Sequence, residues 1–108
     1  MISIVNRNNQ YVLTESNIEK IKCSYDISTG RIYDFSIKKF NSLDLEAVLR
    51  ACMNTLELNG VKEAFICDFD TQADICEVLS KLGFQRKSDK FYVNLEGYFD
   101  KPCQGSQI

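Results

Sequence analysis

The sequence predicts one α/β (α+β) domain, built on a mixed, mainly antiparallel sheet of about six strands with a β-α-β crossover. Three observations carry that expectation. The first forty or so residues alternate apolar and polar side chains with the period of two that a strand imposes, and after Phe40 the period becomes about 3.6. An apolar run follows the helical stretch at once, as a crossover into a parallel strand requires. Gly60 and Gly83 stand where the two helical patterns stop.

In chain order, Ile2 and Ile4-Val5 pair with Tyr11-Val12-Leu13, and Asn8-Asn9 supplies the positive φ of a tight hairpin turn. Ile18 to Tyr25 and Arg31 to Lys39 form a second pair around the turn formers Asp26-Ile27-Ser28-Thr29-Gly30. Strict alternation puts Tyr33, Phe35 and Ile37 on one face and Asp34, Ser36 and Lys38 on the other. The first helix carries Leu45, Val48-Leu49, Cys52-Met53 and Leu56 along one stripe. Asn41 or Ser42 caps its start, Asp44 and Glu46 suit its positive dipole end, and Gly60 stops it with Val61 folding back on Leu56.

Val61 to Phe69 is apolar on both faces in its middle, which is the pattern of a buried parallel strand. A second helix starts at Asp70 or Thr71, turns Ile75, Val78-Leu79 and Leu82 inward, and stops at Gly83 with Phe84 on Leu79. Aromatic and β-branched residues from Lys90 to Tyr98 make the last strand, which Asp100-Lys101-Pro102 ends. Residues 1–100 thus form a single domain and residues 101–108 an irregular tail.

Composition narrows the function classes. With 44% hydrophobic and 26% charged residues and no apolar run near the ~18 residues of a span, the chain reads as globular, with no membrane partner. MISIVNRNNQ lacks the pattern of a secretory signal, so a soluble, cytoplasmic protein is expected. Thirteen basic against fifteen acidic residues form no basic stripe, which argues against nucleic acid. Five cysteines, no C-x-x-C spacing and no histidine argue against zinc and against a disulfide framework. Three of the five lie on apolar positions of predicted elements, where thiols act as small hydrophobes. The lack of histidine also removes every Ser-His or Cys-His nucleophile.

Two tetrapeptides in this order of elements carry a resemblance. Asn59-Gly60-Val61-Lys62 steps from helix to strand, and Lys81-Leu82-Gly83-Phe84 ends the second helix. Across residues 32–99 the chain resembles the GNAT-type N-acetyltransferases, as a short form lacking that fold's N-terminal helices. The resemblance implies a GNAT-like acyl-CoA N-acyltransferase fold with a V-shaped split between two parallel strands, into which pantetheine inserts. It also implies a pyrophosphate held by backbone amides at the first helix, for which Ile37, Lys38, Lys39, Phe40, Asn41 and Ser42 are the corresponding residues. Acetyl-CoA or another acyl-CoA is then the cofactor, without a metal. The family's glycine-containing loop is not reproduced: no glycine occurs between Gly30 and Gly60, and Leu43 and Leu45 take the glycine positions. Leu79 stands where many members have a tyrosine, and Gln72 where an asparagine is typical.

Asp34 is a candidate general base, with a place on the solvent face as the plainer reading. Tyr92, with Phe91 and Tyr98, is a candidate lining residue for an acyl pocket, against simple sheet packing. Asp68 and Asp70 read better as caps than as metal ligands. The expected function is acyl-CoA-dependent N-acyl transfer to an amine, on a small molecule or a protein; the alternative is a non-catalytic GNAT-like binding or interaction module. Only two helices are available to cover the sheet, so Tyr11-Val12-Leu13 and the aromatic segments Phe91-Tyr92-Val93 and Tyr98-Phe99 are expected to expose a patch that a homodimer buries.

Overall fold

The computed structural model describes residues 2–66, 73–87, 90–96 and 98. In chain order its elements are β1 (Ile2–Asn6), β2 (Gln10–Glu15), β3 (Ile18–Asp26), β4 (Arg31–Ile37), α1 (Ser42–Leu58), β5 (Glu63–Ile66), α2 (Ala73–Lys81), β6 (Gln85–Lys87) and β7 (Lys90–Asn94). The strands form one sheet in the order β1-β2-β3-β4-β5-β7-β6, antiparallel except between β4 and β5. This is the mixed sheet with a β-α-β crossover that the periodicity predicts, with β6 as one strand more. β6 is three exposed polar residues long, Gln85, Arg86 and Lys87, so it has no apolar alternation to betray it.

The N-terminal half is a meander fixed by its turns. Asn8 and Asn9 have φ of 49° and 65°, as the hairpin requires, and Arg7 and Gln10 exchange both main-chain bonds across it. Ser16 and Asn17, at φ of 54° and 67°, make a second turn of the same kind between β2 and β3. Between β3 and β4 the Asp26 carboxylate accepts from the Ser28 amide and the Thr29 hydroxyl, and Gly30, at φ 85°, closes the turn.

Strict alternation fails at one place in β4. Lys22 pairs with Ser36 and Ser24 with Tyr33, so Cys23 alone opposes both Asp34 and Phe35. Asp34 is the extra residue of this bulge and sits in the left-handed region at φ 59°. Ile32, Phe35 and Ile37 therefore share the core face, while Tyr33 leaves it and lies under the Arg31 guanidinium, 5.1 Å from the ring centre.

The helix α1 buries Leu45, Val48, Leu49, Cys52, Met53 and Leu56, the predicted stripe, against β2, β3 and α2. Each such side chain contributes about 1.5–3 kcal/mol by burial. The Cys23 and Cys52 thiols meet across this interface with sulfurs 3.3 Å apart, and contact with Cys23, then burial, pushes the Cys52 thiol up in pKa. The two remain structural thiols in the core. Both helix stops are as expected: Val61 N donates to Leu56 O beyond Gly60, and Phe84 N donates to Leu79 O beyond Gly83.

β7 ends at Asn94 rather than running to Tyr98. The Asn94 side chain accepts from the Glu96 amide and Tyr98 N donates to Leu95 O, so the chain turns there, and the Tyr98 hydroxyl donates to Leu82 O at 2.6 Å. Cys67, Asp68, Asp70, Gln72, Phe99, Cys103 and the expected tail, residues 101–108, lie outside the described residues. Among the described residues no helix is long and apolar enough to cross a membrane.

Candidate functional site

The two parallel strands meet at one place. Arg31 and Phe65 are the single register pair between β4 and β5 among the described residues, with Phe65 N donating to Gly30 O at 3.0 Å. β4 then continues for six residues to Ile37 along β3, and Lys38 N donates to Lys20 O at 2.8 Å. Arg31 is the first residue of β4 and Phe65 the third of the four in β5, so the described pair lies at the start of β4, whose C-terminal end leads into α1. Open α/β sheets bind ligands at such C-terminal ends.

Gly30 lies against the start of β5, a role the sequence reading missed by treating it only as a turn residue. A Cβ there would lie 2.2 Å from Glu63 O and 3.1 Å from a Val61 methyl. No larger residue lets the turn pass so close to β5, so the signal was a glycine needed for close approach as well as for positive φ.

Beyond the end of β4, Asn41 is the cap of α1, with extended backbone at φ −150° and ψ 124°. Its side-chain oxygen accepts from Leu43 N at 3.0 Å and Asp44 N at 3.1 Å. Asp44 adds an acidic group in the first turn, and Glu46 is held by Arg50 at 3.2 Å and Lys81 at 3.6 Å. A cavity of about 200 Å³ lies between the start of α1 and α2, lined by Ser42, Glu46, Glu77, Val78 and Lys81. The helix end does not suit a diphosphate well, because two of its amides already have an acceptor and its nearest charges are acidic.

The predicted binding residues cluster around this helix start. Ile37 pairs with Ile21, Lys38 Nζ is 3.9 Å from Glu19, Lys39 and Ser42 are exposed, and Phe40 and Leu43 expose apolar side chains at 40% and 67%. Asp34 is exposed on the bulge of β4. Tyr92 is half-buried on β7, paired with Phe65, and its hydroxyl donates to Gln85 Oε1 at 3.3 Å. The structure does not bring these two candidates together, since β5 runs between their strands. Phe91 belongs to the core and Tyr98 packs against it. Leu79 is fully buried, so its position in α2 presents no polar group to the split. Among the described residues no group of three or more metal-ligating side chains forms.

A parallel pair joined through a crossover helix, within this strand order, is the arrangement of the GNAT acyl-CoA N-acyltransferase fold. Solved structures carry the same fold. The ribosomal-protein-S18-alanine N-acetyltransferase from Escherichia coli superposes with a TM-score of 0.67 at 12% identity, covering 83% of this chain and 72% of its own. A GNAT-family protein from Desulfovibrio desulfuricans gives 0.60 at 13% identity, covering 80% and 67%. At such identities the likeness is one of fold. No family model and no curated protein matches the chain.

Proposed function

We propose that this chain is an acetyltransferase-like protein that takes the pantetheine arm of an acyl-CoA, acetyl-CoA among them, in the β4–β5 split and passes the acyl group to an amine. What supports this reading is the parallel β4–β5 pair, which meets at Arg31 and Phe65 beside Gly30, with the end of β4 leading into α1. The bound thioester supplies the activated acyl carbonyl. The facing edges of β4 and β5 offer main-chain donors and acceptors to an extended ligand, as a sheet edge does to a peptide. Phe40 and Leu43 cover its apolar stretches, and Lys38 and Lys39 bring positive charge to the start of α1. As the amine attacks the carbonyl, Asp34, exposed on the bulge, accepts its proton, the C–S bond breaks, and the CoA thiolate leaves and takes up a proton from solvent. The amine, on a small molecule or a protein, approaches from solvent on that side.

A second reading, a non-catalytic GNAT-like module, is favoured by the Asn41 cap and by the buried Leu79. Calorimetric titration with acetyl-CoA, followed by a thioester-cleavage assay on a panel of amines, separates the two. Binding with turnover that Asp34→Asn lowers at least tenfold supports transfer. Binding without turnover supports the module, and no heat or thermal shift at about 1 mM ligand removes the acyl-CoA reading altogether.

A further inference from the structure

We infer that the free edge of β1 is a self-association site, at which a second copy of this chain adds its own β1 antiparallel about a twofold axis at Ile4. The sheet has two edges, and they differ. β6 is three residues long and carries Arg86 and Lys87, the usual protection of an edge against pairing. β1 is five residues long, Ile-Ser-Ile-Val-Asn, without a charge, and exposes Ile2 at 52%, Ile4 at 37% and Val5 at 42%. Among the described residues no strand lies beyond it.

The hairpin fixes which main-chain groups face outward. Arg7 and Gln10 exchange bonds of 2.7 and 2.9 Å. Alternation along the ladder then makes Val5–Val12 and Ser3–Thr14 bonded pairs, and Asn6–Tyr11, Ile4–Leu13 and Ile2–Glu15 non-bonded ones. The N–H and C=O groups of Ile2, Ile4 and Asn6 therefore point away from β2. These three positions are symmetric about Ile4. A second β1 laid antiparallel sets Ile4 opposite Ile4 and Ile2 opposite Asn6, which satisfies every outward group in two-bond pairs. A twofold contact requires such self-complementarity.

The side chains agree with that register. Ile4 lies beside Leu13, which is fully buried under α1, so Ile2 and Ile4 prolong the core stripe past the helix. Ile18, at 64% exposure, continues the apolar row through Glu15. Paired about Ile4, the isoleucines of two copies cover one another. A five-residue strand pair buries less than the ~1,600 Å² of a standard interface, so the dimer is weak and concentration-dependent. This inference is independent of any ligand in the β4–β5 split.

Amide hydrogen exchange by NMR over a concentration series, alongside sedimentation, tests it on the intact chain. The Ile4 and Asn6 amides slow about tenfold once nine-tenths of the protein is dimeric, while Ser3 and Val5, already bonded to β2, do not change. Ile4→Lys abolishes both the mass shift and the added protection and leaves the circular dichroism spectrum intact. A chain that stays monomeric to about 1 mM overturns the inference. So does a dimer in which Ile4 and Asn6 exchange at concentration-independent rates.

Discussion

β4 is held in opposite ways on its two sides. Toward β3 it is bonded along nearly its whole length, through a bulge, and its Ile32 and Ile37 share a buried face with Ile21, Cys23 and Tyr25. Toward β5, among the described residues, it has one register pair, Arg31 with Phe65. The antiparallel flank follows directly from a local turn, so each added residue extends the ladder at little further entropic cost. The parallel flank joins segments separated by the whole of α1 and depends on one glycine.

Breaking the continuous flank has the largest effect. Ile21→Ala empties a fully buried site between sheet and α1 and lowers stability by about 2–5 kcal/mol, read from chemical denaturation. The parallel flank is attacked through Gly30. Gly30→Ala forces a Cβ onto Glu63 O at a positive φ, costing more than about 1–2 kcal/mol, and hydrogen exchange at the Phe65 amide accelerates beyond the global change. On the bulge, Asp34→Val costs about 1–2 kcal/mol because a branched residue resists φ 59°, whereas Asp34→Asn keeps the midpoint. At the start of α1, Asn41→Ala costs about 1 kcal/mol of cap energy and Asn41→Gly only a few tenths. Both variants release the Leu43 and Asp44 amides, so the proposed acyl-CoA reading predicts tighter binding of acetyl-CoA by calorimetry.

The smallest effect lies on the β2–β3 hairpin. Glu15 is held below its ordinary pKa of 4.5, first by its hydrogen bond with Lys20 and then by the charge of Lys20, 2.6 Å away. A depressed carboxylate contributes stability above its unfolded pKa and loses it as pH falls through the folded value. Melting temperature therefore declines slightly below about pH 4.5 in the natural chain. Lys20→Met flattens that part of the curve.

Much of this architecture was legible because it is local. The stripe from Leu45 to Leu56, the stops at Gly60 and Gly83, and the Asn8-Asn9 turn each depend on residues a few positions apart, and each stands as the sequence predicts. The candidate residues from Ile37 to Ser42, which the resemblance implies, fall together because strand end and helix start are neighbours in the chain. The bulge was not legible. Counting by twos puts Tyr33 with Phe35, and only the demand that Ile32, Phe35 and Ile37 all lie on the core face shifts the phase at Asp34. Nor was the burial of Tyr11-Val12-Leu13: its pairing with β1 is predicted, but the segment reads as exposed, whereas Val12 and Leu13 are buried and α1 packs on β2. The β4–β5 pairing, the approach of Gly30 to Glu63 and the free side of β1 are relations that only the assembled sheet sets. Helix stripes, caps and turns are written into neighbouring residues, but which strands touch, and where they part, is decided only when the whole sheet closes against α1.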